Sequence, residues 1–316
     1  MSLTHSLPSV SESFASVPPR TLCSALADHL QCLTLPRGTI LRESGDPVRH
    51  LYFPTTAVIA TRAQRADGSI DEICCVGREG VLGVRSLLGA DAAASRDIVL
   101  TGGVAYRIER DTLRALFARD EGLQDVLLRY INVLVSQFAQ ETICSRRHCV
   151  EQRVSRWLLQ NHDRNYGHPL LTTHERIAAS LGVRREGVTA AVGHLQALAL
   201  IQCRRGEILL LDKDKLEAQS CECYDTLRRE WQQLLPDATR AAPEMTVRDG
   251  RVSGRVAPNA LLAALCPGEF PEVHAVVAVP KIARTTAARP LLTGGLEGLA
   301  ASGCRPTQYR VMSSLR

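Results

Sequence analysis

The stretch that decides the fold runs from Leu171 to Ile201 and reads LTTHERIAASLGVRREGVTAAVGHLQALALI. Two short apolar-periodic segments flank a single glycine, Gly182. Thr172 or Thr173 stands where a helix N-cap belongs, with Glu175 placed for a capping box. Ile177, Ala178 and Leu181 form the inward face of a first helix. Gly182 supplies a tight turn, Val183 packs, and a second helix starts at Arg184. Val188, Val192 and Leu195 recur at helical spacing on its buried side. Arg184, Arg185, Gly187, Thr189 and His194 are left outward. The spacing predicts a helix-turn-helix, whose second helix presents its N-terminal residues to the major groove of DNA.

The residue types suit that position. Arginine donates two hydrogen bonds to guanine O6 and N7, and glutamate accepts from the cytosine amino group. Arg185 and Glu186 can therefore read neighbouring base pairs. Thr172, Thr173, Thr189 and His194 are candidates for phosphate contacts. The following segment, LIQCRRGEILLL, reads as a β-hairpin with Gly206 in the turn. Its tip carries Arg204 and Arg205, a second phosphate anchor or wing. The competing possibility is a solvated helix start whose charges simply face water.

Charge distribution favours DNA. The net charge of the chain is +5, and residues 144–211 alone hold ten Lys and Arg against five Asp and Glu. A phosphate backbone is drawn to such a segment. Hydrophobic residues make up 45% of the chain and charged ones 22%, as in ordinary globular proteins. No apolar run is long enough to span a membrane, and the N-terminus lacks the pattern of a secretory signal. The expectation is a cytoplasmic protein. The eleven cysteines are odd in number and irregularly spaced, unlike a secreted disulfide framework.

Outward from the helix pair, residues 1–18 are Ser- and Pro-rich and read as a flexible arm. An amphipathic helix is expected over Arg20–Leu30. The period then changes to two. TILRESGDPVRHLYFPTTAVIATRAQRADGSIDEICCVGREG alternates apolar runs with turn signals, which indicates a β-sandwich or barrel. Further strands are expected at Asp97–Leu100 and Val104–Ile108, joined as a hairpin by Thr101-Gly102-Gly103. From Arg110 the period is helical through Ile143. Leu127, Ile131, Leu134 and Phe138 make an apolar seam, which suits either the barrel or a second copy. A helix over Arg146–His162 precedes the helix-turn-helix, and a closing helix over Asp212–Leu235 follows it. The fold class is α+β, with a jelly-roll-like sensor barrel at 19–119, a long dimerisation helix at 120–145 and a winged helix-turn-helix at 146–235. Residues 236–316 are rich in Ala, Arg, Pro and Gly and read as a mostly disordered extension, in which EVHAVVAV is the one candidate strand.

At this point the sequence resembles the CRP–FNR family of bacterial transcription regulators over about residues 20–235. PRGTILRESGDPVRHLYF looks like the opening of the family's cyclic-nucleotide-binding-like barrel, with Gly38, Gly45, Asp46, Tyr52 and Phe53 at the motif positions. TTHERIAASLGVRREGVTAAVGHLQ is the second motif. The resemblance implies a homodimer through the long helix and a pseudo-palindromic operator in double-stranded DNA, with RNA polymerase as a further partner. It puts Arg185 and Glu186 at the family's base-reading positions. A second base-reading arginine, common one turn later, is Ala190 here.

The sensor departs from the nucleotide-binding members. In GREGVLGVRSLLGADAAASRDIVL, Gly83 is followed by Val84 rather than Glu, and Arg96 by Asp97, whose charge repels a phosphate. Cyclic AMP binding is therefore not expected. Arg85 and Arg96 remain the anion-binding candidates, against solvated loop arginines. Only Cys23 and Cys32 precede the barrel, too few to ligate an iron–sulfur cluster. Cys144 and Cys149 flank a helix junction with His148 between, and Cys221 and Cys223 flank Glu222. Each pair is capable of binding metal or responding to oxidation, but buried apolar thiols are the simpler role, so no metal site or cofactor is assigned. No P-loop, GxSxG, HExxH or GxGxxG signature is present, so an enzyme is not expected. The remaining rival is a ligand-sensing module that acts on a protein partner.

Overall fold

Strands form after Leu30, where the period-two pattern places them. In the computed structural model, which describes residues 26–165, 167–235, 245–248, 251–256, 259–265 and 273–278, they make two antiparallel sheets. The arm at 1–18 and most of the expected helix at Arg20–Leu30 lie outside the described residues. One sheet runs β1 (Gln31–Leu35), β7 (Gly103–Glu109), β3 (His50–Pro54). The other runs β2 (Ile40–Arg42), β6 (Arg96–Thr101), β4 (Val58–Gln64), β5 (Ile70–Val76). Tyr52, Leu35 and Ala105 of the first sheet meet Ile59, Val76 and Val99 of the second. Leu51, Phe53 and Ile108, on the opposite face of the first sheet, pack against helices. Burial on both faces explains why β3 reads as an almost unbroken apolar run.

The hairpin expected at Thr101-Gly102-Gly103 does not form. β6 pairs with β2 and β4, whereas β7 pairs with β1 and β3, so the chain changes sheets at Gly102. A Cβ on Gly103 would stand 2.5 Å from the Ala57 nitrogen. The glycines here permit a close crossing, at which Val104 O accepts from Thr55, Thr56 and Ala57 N–H groups.

The helical region divides at Asp120. α1 spans Arg110–Phe117, and α2 spans Glu121–Arg147. The Asp120 carboxylate accepts from Leu123 N–H and caps α2. The apolar seam divides too. Leu127 is 0% exposed and sits in its own chain's core with Leu123, Tyr130 and Val133, so it cannot face a partner. Ile131 and Leu134 are half-buried against the same cluster. The exposed apolar row is Leu128, Val135, Phe138 and Ile143, at 48%, 61%, 44% and 51%. Phe138 alone of the expected seam is exposed. The barrel and the helix period compete for the same side chains, and the barrel takes the face one residue away.

α3 (Val150–Arg164) begins after a break at His148-Cys149, so Arg146 and Arg147 belong to α2. Next come β8 (Leu170–Leu171), α4 (His174–Leu181), α5 (Arg185–Ala197), β9 (Ile201–Arg204) and β10 (Glu207–Leu210). β8, β10 and β9 form a small sheet in that order. The closing helix is two helices, α6 (Lys213–Gln219) and α7 (Cys223–Leu234), parted at Ser220-Cys221-Glu222. Val154, Leu158, Ile177, Leu181, Val188, Val192, Leu195 and Ile208 share one core.

Part of the tail departs from the disordered extension expected for 236–316. β11 (Met245–Arg248), β12 (Arg251–Val256) and β13 (Val273–Ala278) form an antiparallel sheet, and β13 lies in the candidate strand. α8 (Ala260–Leu265) joins the barrel–helix core through Ala260, Leu261, Leu262 and Leu265. Asn259 Nδ2 donates to Pro54 O at 2.7 Å and Gly80 O at 2.8 Å. Composition hides this because six apolar residues in an Ala-rich stretch are too few to show a period. The rest of the tail lies outside the described residues.

Candidate nucleic-acid interface

Thr173 is the N-cap of α4, its hydroxyl accepting from Arg176 N–H at 3.2 Å. Thr172 is 5% exposed, and its N–H donates to Gly206 O in the hairpin turn. It therefore ties the helix-turn-helix to the wing and is not available to a phosphate. With Thr173 as the cap, Glu175 falls one position short of a capping box. It faces Arg185 instead, at 3.8 Å, an exposed pair worth little. Gly182 adopts φ +61° at the end of α4, a left-handed conformation that glycine reaches without strain.

Arg184 is the N-cap of α5, and the helix proper starts at Arg185, one residue later than expected. Val188, Ala191, Val192 and Leu195 are its buried face. Arg184, Arg185, Glu186, Thr189 and Ala190 are exposed together at the N-terminal end. Thr189 Oγ1 lies 3.0 Å from His174 Nδ1, which links the outer faces of α4 and α5. Sequence inspection missed His174, because nothing in the spacing says which turn of α5 it meets. Gly187 is half-buried against Val150 rather than outward. His194 Nδ1 lies 2.7 Å from Glu151 Oε1 on α3; it orients α5 on its support, away from the reading end. The wing turn is Arg205-Gly206, with Gly206 at φ +76°, and Arg204 and Arg205 are exposed there.

α4 also packs on the barrel. Glu72 of β5 is buried and accepts from Arg176 Nε at 3.1 Å. The Arg176 guanidinium lies 5.4 Å from the Trp157 ring centroid. Arg164 of α3 pairs with Glu79 at 2.7 Å. The same burial pushes the Cys75 thiol well above its usual range, with the Glu72 carboxylate adding to it. Beside this contact a cleft of about 860 Å³ separates the β4–β5 hairpin, with Arg62 and Arg65, from Arg184, Arg185 and Glu186.

In the sensor, a short 3₁₀ turn at Val84–Leu88 is bounded by Gly83 and Gly89, both left-handed. Arg85 is exposed on it. Arg96 pairs with Glu43 at 2.6 Å. Arg42 and Asp97 form a buried ion pair at 2.7 Å, and Thr61 Oγ1 donates to Asp97 at 2.6 Å. Burial raises the Asp97 carboxyl; Thr61 and Arg42 oppose that shift. The Arg42 guanidinium nitrogens lie 3.2 and 3.3 Å from where a Gly83 Cβ would stand. They crowd the turn from which anion donors would come. Elsewhere, Cys144, His148, Cys221 and Cys223 converge at the far end of α2.

A family model for the cyclic nucleotide-binding domain matches residues 32–120, and one for the Crp-like helix-turn-helix domain matches residues 152–219. The chain belongs to the CRP–FNR family of transcription regulators. FixK2 from Bradyrhizobium japonicum shares its fold, with 15% identity, 61% of this chain and 98% of that one covered, and a TM-score of 0.54. A CRP-family transcriptional regulator from Thermus thermophilus aligns at 19% identity over 60% of this chain and 96% of its own, with a TM-score of 0.51. A second CRP/FNR regulator from that organism aligns at 19% over 60% and 98%, with a TM-score of 0.52. No curated protein matches. As in the family, a β-rich nucleotide-binding-type domain, a long helix and a helix-turn-helix follow in order, and the regulator binds DNA through the last of these.

Proposed function

We propose that this regulator is a cytoplasmic homodimer that reads a pseudo-palindromic operator through Arg185 and Glu186. The observation that carries this is the exposed group Arg184, Arg185, Glu186 and Thr189 at one end of α5, above a buried Val188–Val192–Leu195 face. Arg204 and Arg205 stand at the wing tip as phosphate anchors, and Thr173 and Thr189 flank the reading end. The dimer seam is the exposed row Leu128, Val135 and Phe138 of α2, with Ile131 at its edge. Positions 128, 131, 135 and 138 step by three and four, the spacing of a two-helix seam.

The barrel senses something other than cyclic AMP. The buried cation Arg42 is already matched by Asp97, whereas Arg96 makes only a solvent-exposed pair with Glu43, which leaves Arg85 and Arg96 as the anion candidates. A signal reaching the barrel would rotate the two reading heads relative to each other through α2 and the Glu72–Arg176 contact. The test is fluorescence anisotropy of the full chain on its own upstream DNA against scrambled DNA across a salt series. A specific excess with a steep salt slope supports the reading, since phosphate neutralisation makes affinity fall with salt. Flat, weak binding to both, with or without added anions, overturns it in favour of a protein partner.

A further inference from the structure

The break between α6 and α7 brings the Cys221-Glu222-Cys223 turn against the last turn of α2. There it meets Cys144 and His148, one helical turn apart. Each residue offers one ligand atom, and the four atoms lie within 4.8 Å of one another. Cys144 Sγ is 3.6 Å from Cys221 Sγ, and Cys223 Sγ is 3.5 Å from His148 Nδ1. A tetrahedral ion with bonds of about 2.3 Å to sulfur and 2.0–2.1 Å to nitrogen sets ligand atoms about 3.8 Å (S···S) and 3.6 Å (S···N) apart. The spacings match. They are too close for a polynuclear iron–sulfur cluster, whose thiolates bind separate irons.

We propose that Cys144, His148, Cys221 and Cys223 form a closed Cys₃His site for one zinc ion, at the hinge between the sensor helix and the DNA-binding domain. Three soft thiolates and an imidazole select zinc over the hard, oxygen-seeking cations. The surroundings fit the role of a support for such ligands. His148 Nε2 lies 3.2 Å from Glu222 Oε1, so the tautomer that donates to the carboxylate leaves Nδ1 free to bind metal. Gln140 Nε2 donates to Cys223 Sγ at 2.9 Å. Arg156 is 1% exposed beside Cys144 and Cys221, pairs with Glu141, and its Nε has no hydrogen-bond partner among the described residues. Three thiolates, one neutral imidazole and Zn²⁺ carry a net charge of −1; the Arg156 guanidinium beside Cys144 and Cys221 favours the thiolate form, although Glu141 already matches its charge.

His148 is the C-cap of α2 and Cys149 the N-cap of α3. The ion therefore ties the hinge itself to the start of α7. Zinc occupancy fixes the angle at which the reading head leaves the sensor helix.

The test is elemental analysis of the full-length protein purified under reducing conditions without added metal, then exchange into Co²⁺. The expected result is equimolar zinc. Cobalt should give a thiolate charge-transfer band in the near ultraviolet and intense visible d–d bands of a tetrahedral ion. Cys223→Ser loses the metal, Cys149→Ser keeps it, and Glu222→Gln weakens zinc affinity about 10–100-fold. Should Cys223→Ser fail to fold, the cobalt spectrum of the unmutated chain still decides. Metal-free protein with no cobalt uptake, iron in place of zinc, or a disulfide among the three thiols overturns the assignment.

Discussion

Arg185 and Arg204 are both exposed arginines of one domain, yet their predicted roles differ. Arg185→Ala removes a bidentate donor at the start of α5. It should cost about 1–3 kcal/mol and relax preference at one base pair. Arg204→Ala should weaken binding to all sequences alike and reduce the salt slope by about one. Anisotropy on the operator and on single-base variants separates the two; equal binding by wild type and Arg185→Ala would remove Arg185 from the reading role. His162 and His168 make a second prediction. Burial lowers both imidazoles, while the unfolded chain titrates near about 6.5. As pH falls through that value the unfolded state takes up protons that the native state refuses, so their contribution to stability declines and levels off below the native values. Denaturant melts between about pH 7.5 and 5.5 should show this decline, and His162→Gln with His168→Gln should flatten it.

α2 illustrates how one element serves two surfaces. The alternation of apolar residues along it is visible in sequence, but the division between core and seam is not. Leu127 and Leu128 are equally apolar neighbours; one is fully buried and the other 48% exposed. Placing a charge on the exposed row tests which face meets a partner. Val135→Glu should turn the proposed dimer into monomers in sedimentation velocity and leave the melting of the barrel unchanged. A dimer undisturbed by Val135→Glu would move the seam off this row. Leu127→Ala should act in the opposite way, by destabilising each protomer.

For the molecule as a whole, Asn259 and α8 of the tail are structural members of the barrel–helix core. Leu262 is fully buried with Leu123, Leu127 and Tyr130 in one cluster, and Asn259 bonds two barrel carbonyls. Leu262→Ala should cost about 2–5 kcal/mol, the range for truncating a buried leucine. Thermal unfolding followed by circular dichroism measures it. A loss under about 0.5 kcal/mol, the size of an ordinary surface change, would mean that α8 does not pack there.

Sequence alone determined the winged helix-turn-helix, the barrel class, the long helix and the exposed Arg185–Glu186 pair. Each rests on periodicity and turn chemistry within about thirty residues, so local sterics and burial suffice to specify it. Tertiary structure decided the rest, because it depends on which distant segments meet. The switch of sheets at Gly102 turns on a crossing beneath Thr55–Ala57. The demotion of Thr172 turns on a carbonyl at Gly206. Cys144 and His148 are separated from Cys221 and Cys223 by more than seventy residues, so neither pair's spacing specifies a four-ligand site. Only the packing of α7 on the end of α2 brings the four together.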